Sequence, residues 1–193
     1  MSKRNPLIGL IGKWQGDKGL DLAPKPDVDE SNPYYETLIF EAVDIDIENA
    51  GEQELTAIRY HQEVREKAND EVSHSETGYW IWNNNDDSII CAFSIPRGVS
   101  LLAGGNYKKT SDGGIVFNVL ARVDDPHYGI VQSPFMMKKA KTTSFKREFK
   151  LKGDALTYVQ ESALEIYDKK FNHTDERELV KDYVPIRVLY YGL

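Results

Sequence analysis

The chain of 193 residues is poor in several things that narrow its chemistry, beginning with cysteine, of which it has one. A lone Cys91 excludes an internal disulfide framework and any zinc site built from cysteines. Within an alternating segment it reads as a small buried hydrophobe. Basic charge is also scarce, with 24 Lys and Arg against 31 Asp and Glu, a formal net charge of −7. A chain of that sign lacks the basic footprint that nucleic acid or an anionic membrane surface requires. Long apolar runs are missing too. No segment approaches the roughly 18 to 20 apolar residues of a membrane-crossing helix, and Leu7–Ile11 is too short for the hydrophobic region of a signal peptide. The expectation is a cytoplasmic protein with neither nucleic acid nor membrane as its partner.

Signature motifs are absent as well. There is no nucleophile elbow, no Gly-rich phosphate loop and no H-E-x-x-H. The four histidines, His61, His74, His127 and His173, include no pair at the i, i+4 spacing of a helical zinc site. Acidic residues are plentiful but scattered, so their spacing gives no two-carboxylate hydrolase.

What the chain does have is a period of two. Tyr35–Val43, Glu54–Val64, Val72–Trp82, Ile89–Ile95, Val99–Ala103, Ile115–Val123, Thr142–Leu151 and Leu156–Ile166 alternate as strands do. Turn signals separate them, among them Asn83-Asn84-Asn85-Asp86-Asp87, Ser111-Asp112-Gly113-Gly114 and Lys152-Gly153-Asp154. Repeated hairpins without intervening helical patterns predict an all-β protein, an up-and-down antiparallel β-barrel of about ten strands with one or two short helices. One barrel domain would occupy 1–193. Asn5-Pro6 opens a helical turn over 5–11, and barrel strands follow over 12–166. A short helix at 174–182 starts from Asp175 as cap with Glu178 as its capping-box partner, and a C-terminal tail covers 183–193.

The central stretch from His74 to Trp82 is unusual for a packed strand. His74, Glu76, Gly78, Trp80 and Trp82 share one face, so histidine and glutamate lie beside two tryptophans. Such a face suits the wall of a barrel whose interior holds a small-molecule ligand. His61 and His127 read as rim and turn residues. Arg147 shares a face with Phe145 and Phe149, which makes it, ahead of Arg97 and Arg122, the candidate interior partner for a ligand carboxylate.

Gly12-x-Trp14-x-Gly16, then His74-x-Glu76-x-Gly78-Tyr79-Trp80, then Leu156-x-Tyr158 leading to a lone His173, together resemble the nitrobindin family. These are heme-binding β-barrels related in shape to fatty-acid-binding proteins. The resemblance implies a ten-stranded barrel holding b-type heme. His173 would be the proximal iron ligand, His74 the distal residue, and Trp14, Tyr79, Trp80 and Phe149 the pocket wall. It further implies nitric oxide binding and isomerisation of peroxynitrite to nitrate. The competing expectation is an iron-free carrier or sensor of a fatty acid or other apolar molecule, with Arg147 holding its carboxylate.

Overall fold

Asn5 accepts a hydrogen bond from the Leu7 amide at 2.9 Å and Pro6 follows it, so the chain starts with a 3-10 turn over Pro6–Leu10. In the computed structural model, which describes residues 5–23, 30–43, 47–49 and 51–183, that turn plugs one end of a barrel. Leu7 and Leu10 are fully buried beneath it. The Trp14 indole N–H donates to the Leu10 carbonyl at 2.7 Å and ties the plug to the first strand.

The strands are β1 (Gly12–Ala23), β2 (Glu30–Ala42), β3 (Ile47–Asn49), β4 (Gln53–Glu66), β5 (Val72–Asn83), β6 (Ser88–Ile95), β7 (Val99–Lys109), β8 (Ile115–Arg122), β9 (Ile130–Gln132), β10 (Ala140–Lys152), β11 (Ala155–Ile166) and β12 (Lys169–Asp182). Ten of them close an antiparallel ring in the order β1-β2-β4-β5-β6-β7-β8-β10-β11-β12, while β3 and β9 pair outside it. The expected all-β barrel is therefore found. Among the described residues the ring closes between β12 and β1 through three residue pairs, Lys13–Asp182, Trp14–Lys181 and Gln15–Val180. Beyond them β1 bulges between Gly16 and Gly19.

Two features differ from the sequence reading. Asp175–Lys181 is not helical but lies in β12, and the barrel strands run on to Asp182. The capping-box pattern is a local preference. It loses to twelve register pairs with β11, made because Phe171, His173, Asp175, Arg177 and Leu179 turn inward at alternate positions. The α-helix instead spans α1 (Pro134–Lys139), where Ser133 caps the Met136 amide and Pro134 sits in the first turn. Of the expected tail, 184–193 lie outside the described residues. No helix among the described residues is long and apolar enough to cross a membrane.

Next to the plug the interior is apolar. Trp14, Leu38, Phe40, Trp80, Phe117, Phe149, Leu156 and Leu179 fill it in one cluster with Leu7 and Leu10. Gly78 allows β5 and β6 to approach closely. A Cβ there would lie 2.0 Å from the Ala92 carbonyl oxygen and 2.7 Å from Phe93 Cα.

Candidate functional site

Above the apolar cluster the barrel changes character. Arg147, only 1% exposed, projects inward from β10 between aromatic rings, its guanidinium 5.2 Å from the Phe93 centroid and 5.1 Å from that of Phe145. It donates to Glu76 Oε1 at 2.7 Å, to Gln160 Oε1 at 2.8 Å and to the Tyr60 hydroxyl at 3.4 Å. Tyr60 also donates to Glu76 Oε1, at 2.9 Å, and His74 Nε2 approaches Glu76 Oε2 at 3.3 Å. Gln62 carries the network to β2, donating to Glu36 Oε1 at 2.6 Å, and Tyr158 donates to both Glu36 oxygens at 2.9 and 3.0 Å. A polar layer thus crosses the barrel at mid-height.

The two buried carboxylates in this layer are tuned in opposite directions. Burial alone would push Glu76 up, but the Arg147 guanidinium, with His74 on the other oxygen, overrides it and brings Glu76 down to about 2. Among the described residues no cation pairs directly with Glu36, and Arg177 and Arg147 act on it only weakly. Burial dominates there and raises it to about 7, against the lowering pull of Tyr158 and Gln62. Glu36 also lines a cleft of about 300 Å³ with Gly16, Tyr34 and Arg177.

On the facing wall a second set stands on β12, four places from β5 around the ring. His173 Nδ1 lies 3.3 Å from Asp175 Oδ2, and its ring stacks on Phe171 with centroids 6.3 Å apart. The other Asp175 oxygen accepts from Arg177 at 2.8 Å. Arg177 in turn donates to the Tyr34 hydroxyl, and its cation sits 4.7 Å over the Tyr34 ring. His173 is 23% exposed, against 36% for His74.

The structure therefore brings His74, Arg147 and His173 to the inner wall toward the end away from the plug. At that same end, between α1 and the β11–β12 turn, lies a cleft of about 1120 Å³ lined by residues including Arg97, Phe135, Lys139 and Lys170. Trp14, Trp80 and Phe149 also face inward but are packed in the apolar cluster. Trp80 stacks on Phe149 with centroids 4.8 Å apart, and its indole N–H has no hydrogen-bond partner among the described residues. Tyr79 does not join them. It lies on the outer face of β5, 45% exposed, beside a surface groove with Leu102 and Val131. Sequence reasoning missed Glu36, Tyr60, Gln62, Gln160, Asp175 and Arg177. Glu36 had a signal, since it alternates in phase with Leu38 and Phe40.

Chemically, the two histidines are not equivalent. His74 turns Nε2 toward a carboxylate, whereas His173 turns Nδ1 toward one. A carboxylate beside Nδ1 favours the proton on that nitrogen, the arrangement common to metal-bound histidines. Among the described residues, no group of three or more His, Cys, Asp and Glu comes together to hold a bare ion.

The fold is similar to the crystal structure of Rv2717c from M. tuberculosis, with a TM-score of 0.67 at 22% identity, covering 91% of this chain and 94% of that one. A search of curated protein sequences finds no match. Residues 3–181 match the family described as THAP4-like, heme-binding beta-barrel domain, and by that match over nearly its whole length the chain belongs to this family of heme-binding β-barrels.

Proposed function

We propose that the protein binds b-type heme toward the barrel end away from the plug, with His173 as the single protein ligand to iron and His74 on the opposite wall. The observation that carries this reading is the division of ring nitrogens, with Nδ1 of His173 held by Asp175. Phe171 supports the ring from one side. The polar layer around Arg147 forms a floor that separates the bound group from the packed apolar cluster. Heme held by one histidine supplies an iron with an open coordination position, where nitric oxide can bind and peroxynitrite can isomerise to nitrate. His74, tethered to Glu76, is the side chain that would meet a small molecule on that side.

The iron-free carrier reading needs Arg147 for a ligand carboxylate. Arg147 is already held by Glu76 and Gln160, so a fatty acid would have to displace both.

The test is to titrate purified protein with hemin, follow the Soret band and then add nitric oxide. Wild type and His74→Ala should take up hemin, and His173→Ala should lose the histidine-ligated spectrum. Absence of uptake, or uptake indifferent to His173→Ala, overturns the assignment. Loss with His74→Ala alone would transfer the ligand role to His74.

A further inference from the structure

We propose that Asp175 and Arg177 are a matched pair of positioning residues for His173, with Asp175 strengthening the imidazole as a donor and Arg177 limiting that effect. This rests on the heme reading above. On an extended strand alternate residues share a face, so His173, Asp175 and Arg177 line up along the inner wall of β12. The Asp175 carboxylate is divided between two partners. One oxygen faces His173 Nδ1 at 3.3 Å and the other accepts from Arg177 at 2.8 Å. Both acid and arginine are mostly shielded from water, with side chains 13% and 12% exposed, so neither contact is that of a fully solvated pair.

Arg177 is held from a third side. Its Nε donates to the Tyr34 hydroxyl, and the guanidinium lies over the Tyr34 ring. Tyr34 belongs to β2, on the far side of β1. The string Tyr34–Arg177–Asp175–His173 therefore fixes the carboxylate in space before any ligand arrives.

A carboxylate that accepts strongly from Nδ1–H gives the ring imidazolate character, which raises its basicity toward a metal at Nε2. A cation on the same carboxylate draws charge away and weakens that acceptor. The two residues thus act on His173 with opposite sign. A pair that only held the strand together would not do so.

The experiment uses hemin-loaded full-length wild type, Asp175→Asn and Arg177→Met, reading the ferrous iron–histidine stretching frequency and the Fe(III)/Fe(II) potential. Asp175→Asn should lower the frequency, raise the potential and weaken hemin binding by about 10- to 100-fold. Arg177→Met should shift both spectroscopic quantities the other way, and Asp175→Glu should recover part of the wild-type values. Shifts of the same sign in both variants, or none, overturn the proposal. Nitrogen-15 NMR of the hemin-free protein separates this from failure of the heme reading. The His173 proton should reside on Nδ1 in wild type and spread over both nitrogens in Asp175→Asn. An unchanged tautomer overturns the proposal even if hemin never binds.

Discussion

The His74–Glu76–Arg147 set on one wall and the His173–Asp175–Arg177 set on the other use the same three chemistries, a histidine and an acid two residues apart with an arginine on the acid. They differ in depth and in connection. Glu76 and Arg147 have side chains only 1% exposed, and the arginine arrives from β10, 71 residues along the chain. Asp175 and Arg177 lie on one strand and remain within reach of solvent. Depth turns the first set into architecture, because a buried charge cannot be left alone. The second set can lose a partner to water and survive, which leaves it adjustable. Nature of contact alone would not distinguish them.

The largest expected effect tests that contrast directly. Arg147→Met strands the Glu76 carboxylate and should cost about 3 to 5 kcal/mol in urea unfolding, whereas Arg177→Met, beside an acid that keeps partial access to water, should cost less, about 1 to 3 kcal/mol. Equal losses would break the comparison. Adding Glu76→Leu to Arg147→Met should recover much of the loss, since removing both charges removes the uncompensated one.

Next comes Gly78→Ala. The new methyl would meet β6 backbone, so β5 must shift where Glu76 is anchored, at a cost of about 1 to 3 kcal/mol. The same unfolding measurement checks it, and a neutral result would mean that β5 can move without disturbing the polar layer.

The pH dependence sharpens the role of the arginine further. Glu76, held at about 2 against an ordinary 4.5, contributes stability that is present above about pH 4.5 and is lost as pH falls toward 2. Glu36, raised to about 7, behaves oppositely. Between 4.5 and 7 the folded state keeps a proton that the unfolded chain has released, so stability falls as pH rises through that window. Glu36→Gln should flatten this slope by about one proton, measured as unfolding free energy against pH. An unaltered slope would remove Glu36 as its source. The smallest effect is expected from His61→Ala, an exposed histidine outside both sets, which should stay within about 0.5 kcal/mol of wild type.

How much was legible follows from the range of the interactions. The barrel could be read because alternation and turn signals such as Ser111-Asp112-Gly113-Gly114 are local, whereas the β11–β12 turn at Tyr167 and Asp168, both with positive φ, carries no such glycine signal. The interior placement of Arg147 could be read from its aromatic neighbours in phase. Its partner Glu76 could not, since nothing in the sequence states which strands face each other across a closed ring. The helix expected at 174–182 shows the opposite failure. There a local capping pattern was loud, and charged residues on both faces of β12 muted the period of two. Asp175 thus reads as a cap, whereas in the barrel it lies beside His173 on the inner face of β12.

The three-pair seam between β1 and β12 also governs how this protein is made. The first strand synthesised must wait for the last, because Lys13 has no antiparallel neighbour on that side until Asp182 exists. Loop closure over nearly the whole described chain is slow, and β1 and β11 meanwhile present unpaired edges. A chain cut before β12 would therefore be no smaller barrel but an open sheet with two adhesive borders. Cleavage near residue 168 before β12 has paired should therefore do more damage than the same cut after the seam has closed.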